Sequence, residues 1–328
     1  MDLIATIYSQ FKWLPYPDTD CTGRTIIVVG ANVGLGKEAA RHFVRLNASK
    51  VILAVRSLAR GEAAKQEIGK TTKRPDAMEV WEVDLASYPS VIAFVSRVSQ
   101  LPRVDAVIAN ASIATRNFEL AEDGENEQTI AINVIGTFLL VLLLLPVLEG
   151  VAKKWDISPI MTIVSSDIHI FAQFPERSAS NILDTMNDPK TARMEDRYPA
   201  SKLLQVFAFR EIITRSAKKS PRVVINMLNP GLCKTELARN ATGLVHVQMV
   251  IFKALVARSA EVGSRTLVHA ATIGVESHGR YMSDCDVNKN TLSSFVTSME
   301  GKRAQEKFWD ELVRKLEKIE PEIMRVLE

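Results

Sequence analysis

Short apolar runs rich in β-branched residues alternate with helical patterns from residue 24 to about residue 282, and this pattern narrows the fold more than any other property of the chain. Thr25–Val29 ends at Gly30 and gives way to a helix pattern over Gly34–Leu46. Val51–Val55 precedes a charged helix over Leu58–Gly69, and Glu79–Val83 precedes one over Ser87–Ser99. Val104–Ala109, a long apolar helix, Ile160–Val164, a helix after Tyr198, Val223–Leu228 and a short strand near Arg280–Met282 complete the series. Near-continuous apolar strands joined by helices predict a parallel sheet buried on both faces, a doubly wound α/β domain of the Rossmann type. No repeat or low-complexity linker divides it. The expected organisation is an extension over 1–23, one domain over 24–282 and a helical extension over 283–328.

Composition excludes several classes. At 328 residues and 47% hydrophobic, the chain can bury a large core. A formal charge of +3 without a block of like charge gives no basis for binding nucleic acid. Cys21, Cys233 and Cys285 are odd in number and far apart, which argues against a disulfide framework or a clustered zinc site, so a reduced, cytoplasmic setting is expected and no metal. Leu3, Ile4, Ile7, Tyr8, Phe11 and Leu14 share one helical face that Pro15 and Pro17 would end; a short docked helix is expected ahead of an interfacial membrane helix. Ile130–Leu148 runs 19 residues without a formal charge, long enough to cross a bilayer. Asn133, Gly136 and Pro146 interrupt it within an α/β pattern, so a core helix is expected, and homodimerisation through it stays open. The tail from Gly301 carries Phe308, Trp309, Leu312 and Leu316 at helical spacing and is expected to pack on the surface.

Gly30-Ala31-Asn32-Val33-Gly34-Leu35-Gly36 joins the first strand to the first helix. Glycines there let the backbone N–H groups of the turn approach a pyrophosphate, and the helix adds its positive dipole end. The second strand ends Ala54-Val55-Arg56-Ser57, with no acid for the ribose hydroxyls; Arg56 suits a 2′-phosphate, which favours NADP over NAD. Asp84, followed by Leu85, is placed either to meet the adenine or to cap a helix.

These residues continue in order through Asn110-Ala111, Asn133, Ser165-Ser166, Tyr198-Pro199-Ala200-Ser201-Lys202 and Asn229-Pro230-Gly231. Over residues 24–282 the chain resembles the short-chain dehydrogenase/reductases, most of all the retinol-dehydrogenase-like branch and fungal reductases of secondary metabolism. The resemblance implies a nicotinamide-dependent oxidoreductase. Tyr198 would be the acid or base, Lys202 would hold the nicotinamide ribose, and Ser166 would hydrogen-bond the substrate oxygen, with Ser165 as its competitor. Asn133 would position a water in a proton relay to Lys202, while Pro230, Gly231 and Thr235 would line the nicotinamide. Tyr198 and Lys202 are four apart and share a helix face; at 4 Å an ammonium would attract a phenolate by about 4 kcal/mol at an effective dielectric of 20, so a lowered phenol pKa is expected. The family's usual N-N-A-G is Ala109-Asn110-Ala111-Ser112 here, and the stretch between Ser166 and Tyr198 is longer than usual, with Phe171, Phe174 and Pro175 as a candidate pocket wall.

Leu244, Val245, Val247, Met249, Val250, Ile251 and Phe252 fall where the family closes over its substrate. With no cation dedicated to a carboxylate, a hydrophobic ketone, aldehyde or alcohol is the expected substrate. A Ser/His/Asp hydrolase using His169 lacks the G-x-S-x-G elbow. An isomerase or dehydratase on the same fold, and a non-enzymatic dinucleotide-binding scaffold, are the rival readings.

Overall fold

The computed structural model describes residues 8–122, 124–216, 222–234, 256–289 and 291–327. Seven strands form one fully parallel sheet: β1 (Thr25–Val29), β2 (Lys50–Val55), β3 (Met78–Glu82), β4 (Ala106–Ala109), β5 (Ile160–Val164), β6 (Val224–Asn229) and β7 (Tyr281–Ser283), in the spatial order β3-β2-β1-β4-β5-β6-β7. The order reverses between β1 and β4, so their carboxyl ends flank a crevice at the switch point.

Alternation along each strand sorts side chains to the two faces. Ile27, Val29, Ile52, Ala54, Met161 and Ile163 join one core, with α3 (Tyr88–Val98), α4 (Thr137–Trp155) and α5 (Met194–Ser216). Ile26, Val28, Val51, Leu53 and Ile160 join the other, with α1 (Gly34–Arg45), α2 (Leu58–Thr72) and α6 (Ala260–Thr272). Strand ends differ from the sequence reading by a residue or two because pairing decides them; α2 runs on to Thr72, where Lys73 adopts a left-handed φ of 59° and closes the helix.

The apolar helix is longer than its uncharged stretch and starts irregularly. A short turn at Gln128–Ile130 leads into a π-helical turn at Ala131–Gly136 and then α4. Gly136 makes this approach possible, since a Cβ there would stand 2.0 Å from the Leu85 carbonyl oxygen. Pro146 is tolerated within α4 on its exposed side. The most apolar window of Gln128–Trp155 is 83% buried inside the fold, which makes it a core helix. Most of the surface proposed for a homodimer is covered by the chain itself: of Leu139 to Leu148, only Leu143, Pro146, and Val147 reach solvent.

Part of that cover comes from the C-terminal extension. The helix α7 (Met299–Ile319) packs on α5 and the turn Ile323–Leu327 on α4; Phe308, Trp309, Leu312 and Leu316 are buried in the main core rather than laid on its surface. Burying side chains of this size stabilises by about 1.5–3 kcal/mol each. At the other end, residues 8–10 are helical as expected, but the docked side differs. Leu14 is buried as the spacing predicts, while Tyr8 and Phe11 face solvent. Polar groups make the attachment: Ser9 Oγ donates to Asp284 at 2.7 Å, Arg258 donates to the Ser9 carbonyl at 2.6 Å, and Gln10 Oε1 accepts from Leu232 N–H at 2.9 Å. Leu3, Ile4 and Ile7 lie outside the described residues.

Candidate active site

Every loop carrying a sequence-derived site residue leaves the carboxyl end of a strand. After β1, the turn from Gly30 to Gly36 enters α1, whose first turn has no acidic residue and no capping side chain, Val33 being the N-cap. Its N–H groups therefore face the crevice without an internal acceptor side chain, as an anion site requires. Gly36 is pressed into the turn: a Cβ there would meet Gly30 O at 2.3 Å and the Asn110 amide at 2.7 Å. From the end of β4, Asn110 Nδ2 donates to Val29 O at 3.1 Å and Gly30 O at 3.3 Å, so its amide fastens the glycine turn. Asn32 and Leu35 lie in the same turn, half-buried. Arg56 is exposed at the end of β2. Asp84 uses Oδ1 to accept from Ala86 N–H at 2.9 Å, closing the turn before α3, and Leu85 is buried beneath the π turn. The uncapped start of α1 and the close-packed glycine turn fit a dinucleotide's phosphates.

Ser165 and Ser166, at the end of β5, separate cleanly. Ser165 is buried and faces the Tyr281 phenol. Ser166 is half-buried, and its Oγ accepts from Ile168 N–H at 3.2 Å. A hydroxyl that is already an acceptor has its own proton left to donate, and no described residue takes it. His169 holds the Ser166 backbone in place: its Nδ1 donates to Ser166 O at 2.8 Å while Nε2 accepts from Ser293 N–H at 3.3 Å. Burial lowers its pKa, which agrees with that neutral tautomer.

Tyr198 and Lys202 lie on α5, one turn apart, as the spacing predicts. Their electrostatics depart from the sequence expectation. Lys202 Nζ stands 5.7 Å from the Tyr198 ring centre and is engaged elsewhere, donating to Val164 O at 3.1 Å and Gln205 Oε1 at 3.0 Å. Burial, reinforced by the Cys233 thiol, pushes the Tyr198 phenol above its ordinary range, and burial brings Lys202 down to about 7. Desolvation is the leading cause at both residues, so the lowered phenol is not found among the chain's own groups.

Asn133 lies in the π turn, wholly buried, and its side chain is fully engaged. Its Oδ1 accepts from Ile113 N–H at 2.9 Å and Ser112 Oγ at 3.1 Å; its Nδ2 donates to Ile113 O at 2.9 Å and Ser201 Oγ at 3.1 Å. Ser112, the departure from the family's glycine, is thus built into the site. The group of Asn133 directed toward Lys202 is its main-chain carbonyl, which accepts from Gln205 Nε2 at 2.6 Å.

Beyond β6, Gly231 has a φ of 79°, and Asn229 Oδ1 accepts from both Gly231 and Asp167 N–H at 3.1 Å. Arg258 Nη1 donates to Pro230 O at 3.1 Å. Thr235 and the apolar stretch Leu244–Phe252 lie outside the described residues. Phe174, expected in a pocket wall, is instead fully buried against Phe207, their ring centres 6.2 Å apart, and Asp196 accepts from its N–H at 2.8 Å. Phe171 is exposed, and the segment is tied to α7 where Glu311 accepts from Ile182 and Leu183 N–H at 2.9 Å each. Sequence reasoning missed Gln205, His169 as a holder of Ser166, and Gln10. A polar residue in an apolar helix stretch one turn after Lys202 was the available signal for Gln205.

Comparison with known proteins agrees with this geometry. The family model for short chain dehydrogenase matches residues 24–166. The short chain dehydrogenase/reductase dmxR8 of Cryptosporiopsis sp. is 50% identical over 322 residues, covering 96% of this chain and 97% of that protein. The chain belongs to the short-chain dehydrogenase/reductase family of oxidoreductases. Among solved structures, an uncharacterised protein from Mycobacterium Paratuberculosis shares the fold with a TM-score of 0.65 and 23% identity, over 92% of this chain and 97% of that one. NADPH-bound carbonyl reductase from chicken fatty liver gives 0.59 and 17%, over 83% and 99%.

Proposed function

We propose that the protein is an NADPH-dependent reductase of hydrophobic ketones or aldehydes, able to run the reverse oxidation. The observation that carries this reading is that Lys202, one helical turn from Tyr198, reaches the end of β5 at Val164 O, two residues before Ser166. NADPH, when bound, supplies the hydride. Gly30, Asn32, Gly34, Leu35 and Gly36 would hold its phosphates, with Asn110 fixing the turn. Asp84 and Leu85 would border its adenosine, and Pro230, Gly231 and Thr235 its nicotinamide. Arg56 at the end of β2, with no acid beside it, favours the 2′-phosphate. The NADPH in the carbonyl reductase of like fold points the same way.

Ser166 would donate its free proton to the substrate oxygen and stabilise the charge that develops there. Tyr198 would deliver the proton that completes the alcohol. A phenol that is protonated at neutral pH is in the form that can donate this proton. Lys202 would hold the nicotinamide ribose and carry positive charge near the phenol. The test is incubation of the purified protein with NADPH and a panel of lipophilic ketones and aldehydes, following loss of nicotinamide absorbance. Consumption of NADPH with formation of the alcohol is expected; no consumption with any member would overturn the reading.

A further inference from the structure

Lys202 lies in a buried position, 2% exposed, where its charge must be met by fixed dipoles. Two of its three N–H donors are accounted for, one by Val164 O and one by Gln205 Oε1. Gln205 is itself 1% exposed, and its Nε2 donates to the Asn133 main-chain carbonyl at 2.6 Å. Its two ends meet a pure donor and a pure acceptor, so only one orientation of the amide satisfies both. Asn133 O lies in the π turn, where the backbone departs from α-helical pairing. Among the described residues no carboxylate offsets the Lys202 charge; Tyr198 on the same helix and Cys233 after β6 are the titratable groups on this side.

We propose that Gln205 is the positioning residue of the site, a side-chain amide standing between Lys202 and Asn133 where the family resemblance places a water. The inference rests on the proposed reductase reading for its role in turnover, though not for its effect on Lys202. A water accepts and donates by turning, and can pass a proton. An amide held at both ends keeps its hydrogens on nitrogen, so it fixes the ammonium and closes the route toward Asn133. The third Lys202 N–H is thereby left for the crevice.

The test is a titration of Lys202 Nζ by ¹⁵N NMR in the free, lysine-labelled protein, its signal identified by its loss in Lys202→Met. Gln205→Leu removes the acceptor and should move the midpoint down by about one pH unit; Gln205→Glu puts a carboxylate there and should move it up by at least as much. Loss of packing alone would lower thermal stability without opposite shifts. The high-pH limb of kcat, with whichever carbonyl the panel selects, should move in the same two directions. Midpoints that stay with the wild type in both variants overturn the proposal. Should the leucine variant not fold, an unmoved midpoint in Gln205→Glu overturns it alone. A wild type without turnover would defeat the reductase reading while the NMR titration still decides the place of Gln205.

Discussion

Arg197 and Glu127, both wholly buried, meet at 3.4 Å immediately before Tyr198 in the chain. Glu127 accepts from Thr129 N–H and Oγ1 at 2.9 Å each and from Ile130 N–H at 3.3 Å, at the entry to the π turn. Arg197 also donates to Met186 O at 2.6 Å. The pair joins three segments around Tyr198. Burial raises the Glu127 pKa and lowers that of Arg197, so each charge depends on the other. Glu127→Gln or Arg197→Met alone should cost about 3–5 kcal/mol in urea unfolding, and the double variant much less than their sum.

Tyr198→Phe removes only the hydroxyl. Reduction should fall at least about 10³-fold, at the middle of the range for lost acid–base catalysis. NADPH affinity, read by fluorescence titration, should stay within about twofold, because the phosphate turn and Arg56 lie on other strands.

Ser166→Ala should lower kcat by about 10²-fold or more, as loss of one oxyanion donor does. Ser165→Ala, whose hydroxyl faces Tyr281, should cost less than tenfold. The reverse ranking in steady-state kinetics would exchange the two assignments.

Arg56→Ala should weaken NADPH binding about tenfold and NADH binding less than twofold, since only the former has a 2′-phosphate to pair. Isothermal titration with each cofactor checks this, and equal losses would leave Arg56 without a role in selection.

Asp167, buried at the end of β5, accepts from Thr291 Oγ1 at 2.6 Å and Tyr281 OH at 3.1 Å, yet desolvation raises its pKa to about 6. Its folded value lies above the unfolded one, so the native state binds the extra proton. That contribution is complete below pH 3.8 and is lost as pH rises through about 6. Asp167→Asn, which keeps the acceptor and removes the charge, should abolish this slope and stabilise the protein by about 1–3 kcal/mol at pH 7 relative to wild type. Thermal denaturation between pH 4 and pH 8 measures it.

The succession of strands along the chain and the place of each motif were legible because a buried parallel strand writes itself as a continuous apolar run and the motifs follow directly after such runs. Partners across the sequence were not. Nothing near Gln205 reveals that it meets Asn133, 72 residues away, since that contact exists only once α5 lies on the π turn. Phe174 and Phe171 look alike as aromatic residues in a long insertion, yet one is core and the other exposed, because Asp196 fixes the backbone of the first. The N-terminal helix misled for a related reason: hydrophobic spacing pointed to Tyr8 and Phe11, whereas the attachment is made by the polar Ser9 and Gln10. The phenol departs from the spacing argument because burial, which raises its pKa, leaves no mark in spacing.

The cover over the leucine helix has a consequence for synthesis. Residues 137–155 leave the ribosome long before 299–327, which must arrive to lie against α4 and α5. In the interval a nascent chain lacks the part of the cover on α4 and α5 that residues 299–327 supply. The native core is therefore complete only once translation has passed that stretch, and a chain ending before it would leave the apolar sides of α4 and α5 that it covers open to solvent.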